Sequence, residues 1–340
     1  MAAVQIFVSE YLCSGAWTGS DIPASLAAEG QAMLLAFLDD LSKIDNCKIV
    51  TTWDTRLSDW TISNVTAFPI NDPADEKTLF RKLAAESDIT FVIAPEFDGI
   101  LAQRARWVQE VGGNWAGCSC DAIELCADKL LFYQHCLKHD IPTIETHLLE
   151  GKIDLSKCEF PFVLKPRFGV GCEHTFVVQN QSDFEMIQSE FSSALNRQEM
   201  ILQPFIPGQA ASVAVLVSHE NIRFEITPVA AQYFSSTAPL KYLGGKVPIP
   251  VSNRQSDAIH SVAFQMIESL PGLNAYCGID LILPEDDTAD PVIVELNPRL
   301  TSSYLGYRNI CKQNLAERII FPETQPGSCT WKNIETDFTV

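Results

Sequence analysis

The sequence predicts an α/β protein that opens with a doubly wound parallel sheet and continues into strand-rich α+β lobes. Three observations predict it. Up to about residue 118, short apolar strands alternate with segments of helical period, the pattern of consecutive βαβ units. From about residue 160, strands crowd together with turns and few helices between them. The 340 residues also exceed what one core organises, since single cores stop growing at roughly 250–300 residues.

The elements follow in order. Val4 to Val8 forms an apolar strand, Gly15 to Gly19 a loop, and Ala24 to Leu41 carries apolar residues at helical spacing. Cys47 to Thr52 reads as a strand, and Asp88 to Ala94 as a buried parallel strand that ends at Pro95-Glu96, before a helix over Gly99 to Val111. Residues 53–80 have little periodicity and receive no assignment. Asp121 is placed to cap one helix running through Leu137, closed by Ile141-Pro142 because the residue before proline is steered out of the α region. Strands are expected over Phe160 to Lys165 and Phe176 to Gln179, with a glycine turn between them, then a helix over Ser182 to Leu195 capped by Ser182. Further strands run over Met200 to Phe205, Ser212 to Ser218, Arg223 to Val229, Ala275 to Leu283 and Val292 to Leu296. Helices fall at Ser256 to Ser269 and Asn314 to Ile320, and the last dozen residues carry no readable pattern.

Composition narrows the function. The formal charge of −19 disfavours nucleic acid and anionic membranes, both of which need a basic footprint, and leaves small molecules as partners. No apolar run approaches the roughly 18 residues of a membrane span, and the first residues lack the basic start of a signal peptide, so a cytoplasmic location is expected. Eleven scattered cysteines suit reduced buried thiols, and Cys118, Cys120 and Cys126 match no zinc spacing.

Three segments carry chemistry. In Pro161-Phe-Val-Leu-Lys-Pro-Arg-Phe-Gly-Val-Gly-Cys-Glu-His-Thr175, a strand delivers Lys165 and Arg167 to a turn whose glycines, Gly169 and Gly171, let backbone N–H groups approach phosphate. In Cys277-Gly-Ile-Asp-Leu-Ile-Leu283 and Val292-Ile-Val-Glu-Leu-Asn-Pro-Arg-Leu300, joined by the acidic turn Glu285 to Asp290, Glu295 and Asn297 share one strand face and Asp280 comes from the paired strand. Three oxygen donors converge there, a set that suits Mg²⁺ (or Mn²⁺) with a bound phosphate. Arg299 follows directly. The third segment, Met200-Ile-Leu-Gln-Pro-Phe-Ile-Pro-Gly208, is a strand and turn that core packing alone would also explain.

Together these segments resemble the ATP-grasp superfamily over roughly residues 112–312. The resemblance implies an ATP-grasp fold: an N-terminal doubly wound parallel-sheet domain, a small central lid lobe and a C-terminal antiparallel-sheet lobe, here divided as 1–118, 119–200 and 201–325 with a tail at 326–340. It extends to Ala122-Ile-Glu-Leu-Cys-Ala-Asp-Lys-Leu130, implying that Lys129 meets nucleotide phosphates with Lys165 under the loop of Gly169 and Gly171. It implies a hinge of Gln203, Phe205 and Ile206 against adenine, Mg²⁺ at Asp280, Glu295 and Asn297, and Arg299 at the reacting phosphoryl or acyl group. The acid that many members use for ribose is absent, and Gln209 stands in the matching stretch. Glu10-Tyr-Leu-Cys-Ser-Gly15, Pro23-Ala-Ser-Leu-Ala-Ala-Glu-Gly-Gln-Ala-Met33 and Asn297-Pro-Arg-Leu-Thr-Ser-Ser-Tyr304 are similar, more narrowly, to the tyramine-glutamate ligases of methanofuran biosynthesis and their bacterial relatives.

The activity so implied is ATP-dependent amide formation between a carboxylate and an amine through an acyl phosphate, with catalytic roles for Lys165 and Arg299. ATP and Mg²⁺ are the expected cofactors, and a homodimer is one assembly related enzymes form. Competing readings are a ligase for other amino acids or peptides, a nucleotide-binding regulatory protein without turnover, and a phosphotransferase. Tyr242-Leu-Gly-Gly-Lys246 reads as a flexible loop with a cation, facing either substrate or solvent.

Overall fold

The computed structural model describes residues 3–19, 21–149, 159–195, 199–218, 223–286, 288–324 and 327–339. Asp287 of the acidic turn and residues 325, 326 and 340, at and beyond the expected start of the tail, lie outside them.

The chain begins with β1 (Val4–Glu10), α1 (Ala24–Leu41), β2 (Cys47–Asp54), β3 (Val65–Ile70), α2 (Pro73–Glu86), β4 (Ile89–Ile93) and α3 (Ile100–Glu110). The four strands form a parallel sheet in the order β3-β2-β1-β4. Alternation along β1 explains its two covers. Ile6 and Val8 pack with Phe37 and Leu34 of α1, whereas Phe7 packs on the other face with Phe80 of α2 and Leu101 of α3. Between α2 and α3, Arg104 and Glu76 form a buried ion pair 2.5 Å apart, with the guanidinium over the rings of Phe80 and Trp107.

Helices α4 (Cys120–Ala127) and α5 (Lys129–Lys138) lead to β5 (His147–Leu148), β6 (Phe162–Pro166), β7 (Phe176–Val178), α6 (Gln181–Leu195) and β8 (Met200–Pro204). These strands form an antiparallel sheet, β5-β8-β6-β7, over its own small core of Phe162, Leu164, Phe176 and Phe184. The chain then builds β9 (Gly208–Ser218), β10 (Arg223–Ile226), β11 (Ala230–Phe234), β12 (Tyr242–Val247), α7 (Asn253–Ser269), β13 (Ala275–Pro284), β14 (Val292–Asn297), α8 (Tyr304–Ile310), α9 (Leu315–Ile320) and β15 (Thr336–Phe338). Here the sheet order is β14-β13-β9-β11-β12-β15, with β10 on β9. The first helix is fastened to this part: Tyr304 Oη donates to Asp40 Oδ2 at 2.6 Å, and Arg308 forks onto both oxygens of the same carboxylate. No helix among the described residues is long and apolar enough to cross a membrane.

Five expectations need correction. The single helix through Leu137 is two helices, because Asp128 leaves the helical region and its carboxylate accepts from the N–H groups of Leu130 and Leu131, capping α5; Ser119 caps α4 in place of Asp121. Residues 53–80 hold β3 and most of α2, a helix capped by Asp72 with Pro73 at its first position. Tyr242 to Lys246 is strand β12, paired on both sides by β11 and β15, so the last dozen residues also contribute a strand. Asn180 rather than Ser182 accepts at the start of α6, from the N–H of Asp183. Strand β9 starts at Gly208, four residues before Ser212.

Candidate active site

Between the four-stranded antiparallel sheet and the large sheet lies a cavity of about 360 Å³. One end is apolar, lined by Ile144, Val163, Val177, Phe205, Ile206 and Leu281. The other end gathers Lys129, Lys165, Gln232, Asp280 and Glu295, beneath the turn that carries Gly169 and Gly171.

Each polar side chain is delivered by a local feature. Asp128 starts a new helix, so Lys129 stands at its first residue; its ammonium donates to Gly169 O at 2.8 Å and lies 3.6 Å from Glu295 Oε2. Lys165 stands on β6, 6% exposed. Desolvation pulls its pKa down, partly opposed by the Glu295 charge. Asp280 and Glu295 face each other across the β13–β14 ladder, and a register shift follows Asp280. Desolvation, reinforced by the neighbouring Glu295, pushes Asp280 up to about 8. Glu295 feels the same desolvation, but Lys129, Lys165 and Arg299 outweigh it and hold its carboxyl below the ordinary value.

Asn297 donates from Nδ2 to Asp280 Oδ2 at 3.2 Å. Among the described residues no three His, Cys, Asp or Glu side chains gather as a metal nest. Two carboxylates with a flanking amide are nevertheless hard oxygen donors, the small set Mg²⁺ takes when phosphate completes its shell, so the residues fit that ion. Gln203 is 4% exposed and oriented by its Nε2 donating to Thr146 Oγ1 at 2.8 Å. Phe205 and Ile206 line the cavity beside it.

Two expected site residues sit elsewhere, and Arg299 stands beside Asn297, its Nη2 3.5 Å from Asn297 Oδ1. Arg167 does not face the cavity: its guanidinium forks onto Asp128 at 2.5 and 2.7 Å and reaches Glu199 at 3.0 Å. Gln209 is exposed, and alternation along β9 turns it away from the face that carries Ala210 and Ser212, so it does not meet the cavity. Arg299 lies past Asn297 toward the parallel sheet, its Nε 3.0 Å from Oε1 of the buried Glu96.

That contact brings in acids to which the sequence assigned no role, although Glu10 and Glu29 lie in the segments that carry the narrower resemblance. Glu96 follows β4, Glu29 lies on α1 within reach of Arg299 and Ser302, and Glu10 ends β1 with its carboxylate accepting from Cys13 N at 2.8 Å. Glu10 lies against Gly30, where a β-carbon would come within 2.6 Å of the carboxyl carbon. Desolvation raises Glu29, and raises Glu10 to about 7. All three sit at the carboxyl-end side of the parallel strands, where open α/β sheets bind ligands. Cys118 and Cys277 approach to 3.4 Å between sulfurs, buried and free.

Comparison with known proteins agrees with this layout. Residues 126–303, more than half of the chain, match the ATP-grasp domain, and residues 47–123 match the pre ATP-grasp 3 domain. The tyramine–L-glutamate ligase of Methanocaldococcus fervens is 25% identical over 314 residues, 92% of each chain. Among solved structures, the ADP complex of N5-carboxyaminoimidazole synthetase from Staphylococcus aureus has a TM-score of 0.72 at 14% identity, over 97% of this chain and 80% of that one. The L-amino acid ligase from Bacillus licheniformis has a TM-score of 0.69 at 14% identity, over 94% and 73%.

Proposed function

The chain belongs to the ATP-grasp family as one of its carbon–nitrogen ligases, and from that premise we propose that it joins the carboxylate of glutamate to an aromatic amine such as tyramine. The observation that carries the reading is the convergence of Lys129, Lys165, Asp280 and Glu295 at one end of a cavity whose other end is mostly apolar. Such a cavity suits a purine at the apolar end and a polyphosphate at the charged end. The substrate pair rests on the full-length likeness to the tyramine–L-glutamate ligase.

In this reading Gln203, with Phe205 and Ile206, receives the adenine edge, and Lys129 and Lys165 hold the phosphates under the Gly169 and Gly171 backbone. Asp280, Glu295 and Asn297 hold Mg²⁺, which when bound offsets charge on the transferring phosphoryl group. The carboxylate takes that group to give an acyl phosphate, and the amine displaces phosphate to give the amide. Arg299, clamped by Glu96, is positioned to steady the acyl oxygens, and the turn over the cavity excludes water. Positioning and electrostatics supply the rate, since phosphoryl transfer asks little covalent chemistry of the protein.

The test follows ADP release from purified protein with MgATP and L-glutamate, adding tyramine and then other amines, with Glu295→Ala as control. Amine-dependent ADP and phosphate, lost in the variant, are expected. Tight MgATP binding without turnover on any pair would instead favour a regulatory nucleotide binder.

A further inference from the structure

Four strands of the large sheet set Glu295, Asp280, Ser212 and Ala230 opposite one another in a single row, on β14, β13, β9 and β11. Directly opposed residues project from the same face, and Asp280 and Glu295 of this row line the cavity. Gln232 is two residues beyond Ala230 and therefore shares that face. The β9 residues on that face, Ala210 and Ser212, are small, which leaves Gln232 room to reach over β9. Its Nε2 donates to Asp280 Oδ1 at 2.9 Å, while Asn297 donates to the other oxygen, Oδ2.

One backbone feature fixes the strand position of Gln232. Opposite it stands Gly245, where any β-carbon would fall 2.1 Å from Ala231 O; only glycine lets the two strands close at this point.

We propose that Gln232 is a positioning residue for the cation site, fixing the Asp280 carboxylate from one side as Asn297 fixes it from the other. The inference rests on the reading of Asp280 and Glu295 as cation ligands. Its logic is electrostatic. A carboxylate beside another carboxylate in a desolvated cleft needs hydrogen-bond partners to hold its orientation, yet a lysine or arginine would cancel the charge that attracts the cation. An amide N–H orients without neutralising. Asp280 has two such donors, one per oxygen, and Lys129 approaches Glu295 instead.

The experiment titrates Mn²⁺ against full-length protein saturated with ADP, reading free Mn²⁺ by electron paramagnetic resonance. Wild type is compared with Gln232→Met, which keeps length and loses the donor, and with Glu295→Ala; metal-free ADP affinity is measured alongside. Outer partners of metal ligands typically alter affinity by about 10–100-fold. Gln232→Met is expected to weaken Mn²⁺ within that range and to leave metal-free ADP binding within about twofold. If Glu295→Ala loses Mn²⁺ while Gln232→Met binds it as wild type does, the positioning role is overturned and the cation site stands. If Glu295→Ala also binds Mn²⁺ normally, the site itself is wrong and Gln232 falls with it. Equal loss of metal-free ADP binding in Gln232→Met would make Gln232 a structural residue only. Should the methionine variant not fold, Gln232→Asn, whose amide falls one methylene short, is expected to give the same selective loss.

Discussion

The ammonium of Lys129 lies between the carbonyl of Gly169, 2.8 Å away, and the carboxylate of Glu295, 3.6 Å away, bridging the phosphate turn to the floor of the large sheet. Replacing it tests whether this bridge belongs to catalysis. Lys129→Met removes a preorganised cation and is expected to lower amine-dependent ADP release by about 10²-fold or more, the scale of losing one electrostatic stabiliser. A thermal midpoint close to wild type would assign that loss to the site rather than to folding.

Arg167 provides the contrary test. Since it is bound to Asp128 and Glu199 rather than to the cavity, Arg167→Met should change stability more than the KM for MgATP. Asp128→Ala removes both that partner and the α5 cap, and the cap alone is worth about 1–2 kcal/mol. Urea denaturation of both variants, beside their MgATP kinetics, separates the two effects. A large KM increase for Arg167→Met at unchanged stability would return it to the nucleotide site.

In the N-terminal part, Glu76→Ala should be severe. It strands the Arg104 guanidinium among Phe80 and Trp107, and breaking a buried pair from one side costs about 3–5 kcal/mol. Denaturant midpoints would register a loss of that size.

Glu10 makes stability depend on pH. Its pKa rises from the ordinary 4.5 to about 7 in the folded state, chiefly through desolvation, so the folded form binds more protons than the unfolded form across that window. The stability is fully present below about pH 4.5 and is lost as pH rises through 7. At most about 3–4 kcal/mol is involved, at 1.36 kcal/mol per unit. Glu10→Gln, which mimics the protonated acid, should therefore gain on wild type between pH 5 and pH 8 in chemical denaturation. An equal pH slope in the two proteins would exclude Glu10 as the source.

What could be read from sequence was what lies close in the chain. Lys165 with its glycine turn, and Asp280 with Glu295, belong to short segments whose period and residue types state their own geometry, and the structure brings them into one cavity. Strand β12 is hidden in the sequence because Gly244 and Gly245 break a strand pattern; their reason is the approach of Phe338 O and Ala231 O, partners 94 and 14 residues away in the chain. Strand β3 is half exposed, and Thr66 and Pro69 interrupt its apolar residues, so it lacks the apolar run that reveals β4. Helix α2 carries its own local signal, Asp72 as cap and Pro73 in the first turn. Arg167 looked like a phosphate ligand because its neighbours are basic and glycine-rich, and nothing local tells that Asp128 claims it. Glu96, Glu29 and Gln232 reach the site only through topology.

The clasp on Asp40 concerns how the protein is made. Its partner Tyr304 lies 264 residues further along the chain. During synthesis, elements fold as they emerge, so α1 and the parallel sheet can assemble well before α8 exists. Through that interval the Asp40 carboxylate has only Lys43 beside it, and Tyr304 has yet to cover an apolar flank around Phe37. This flank stays uncovered until Tyr304, 264 residues beyond Asp40, has been made.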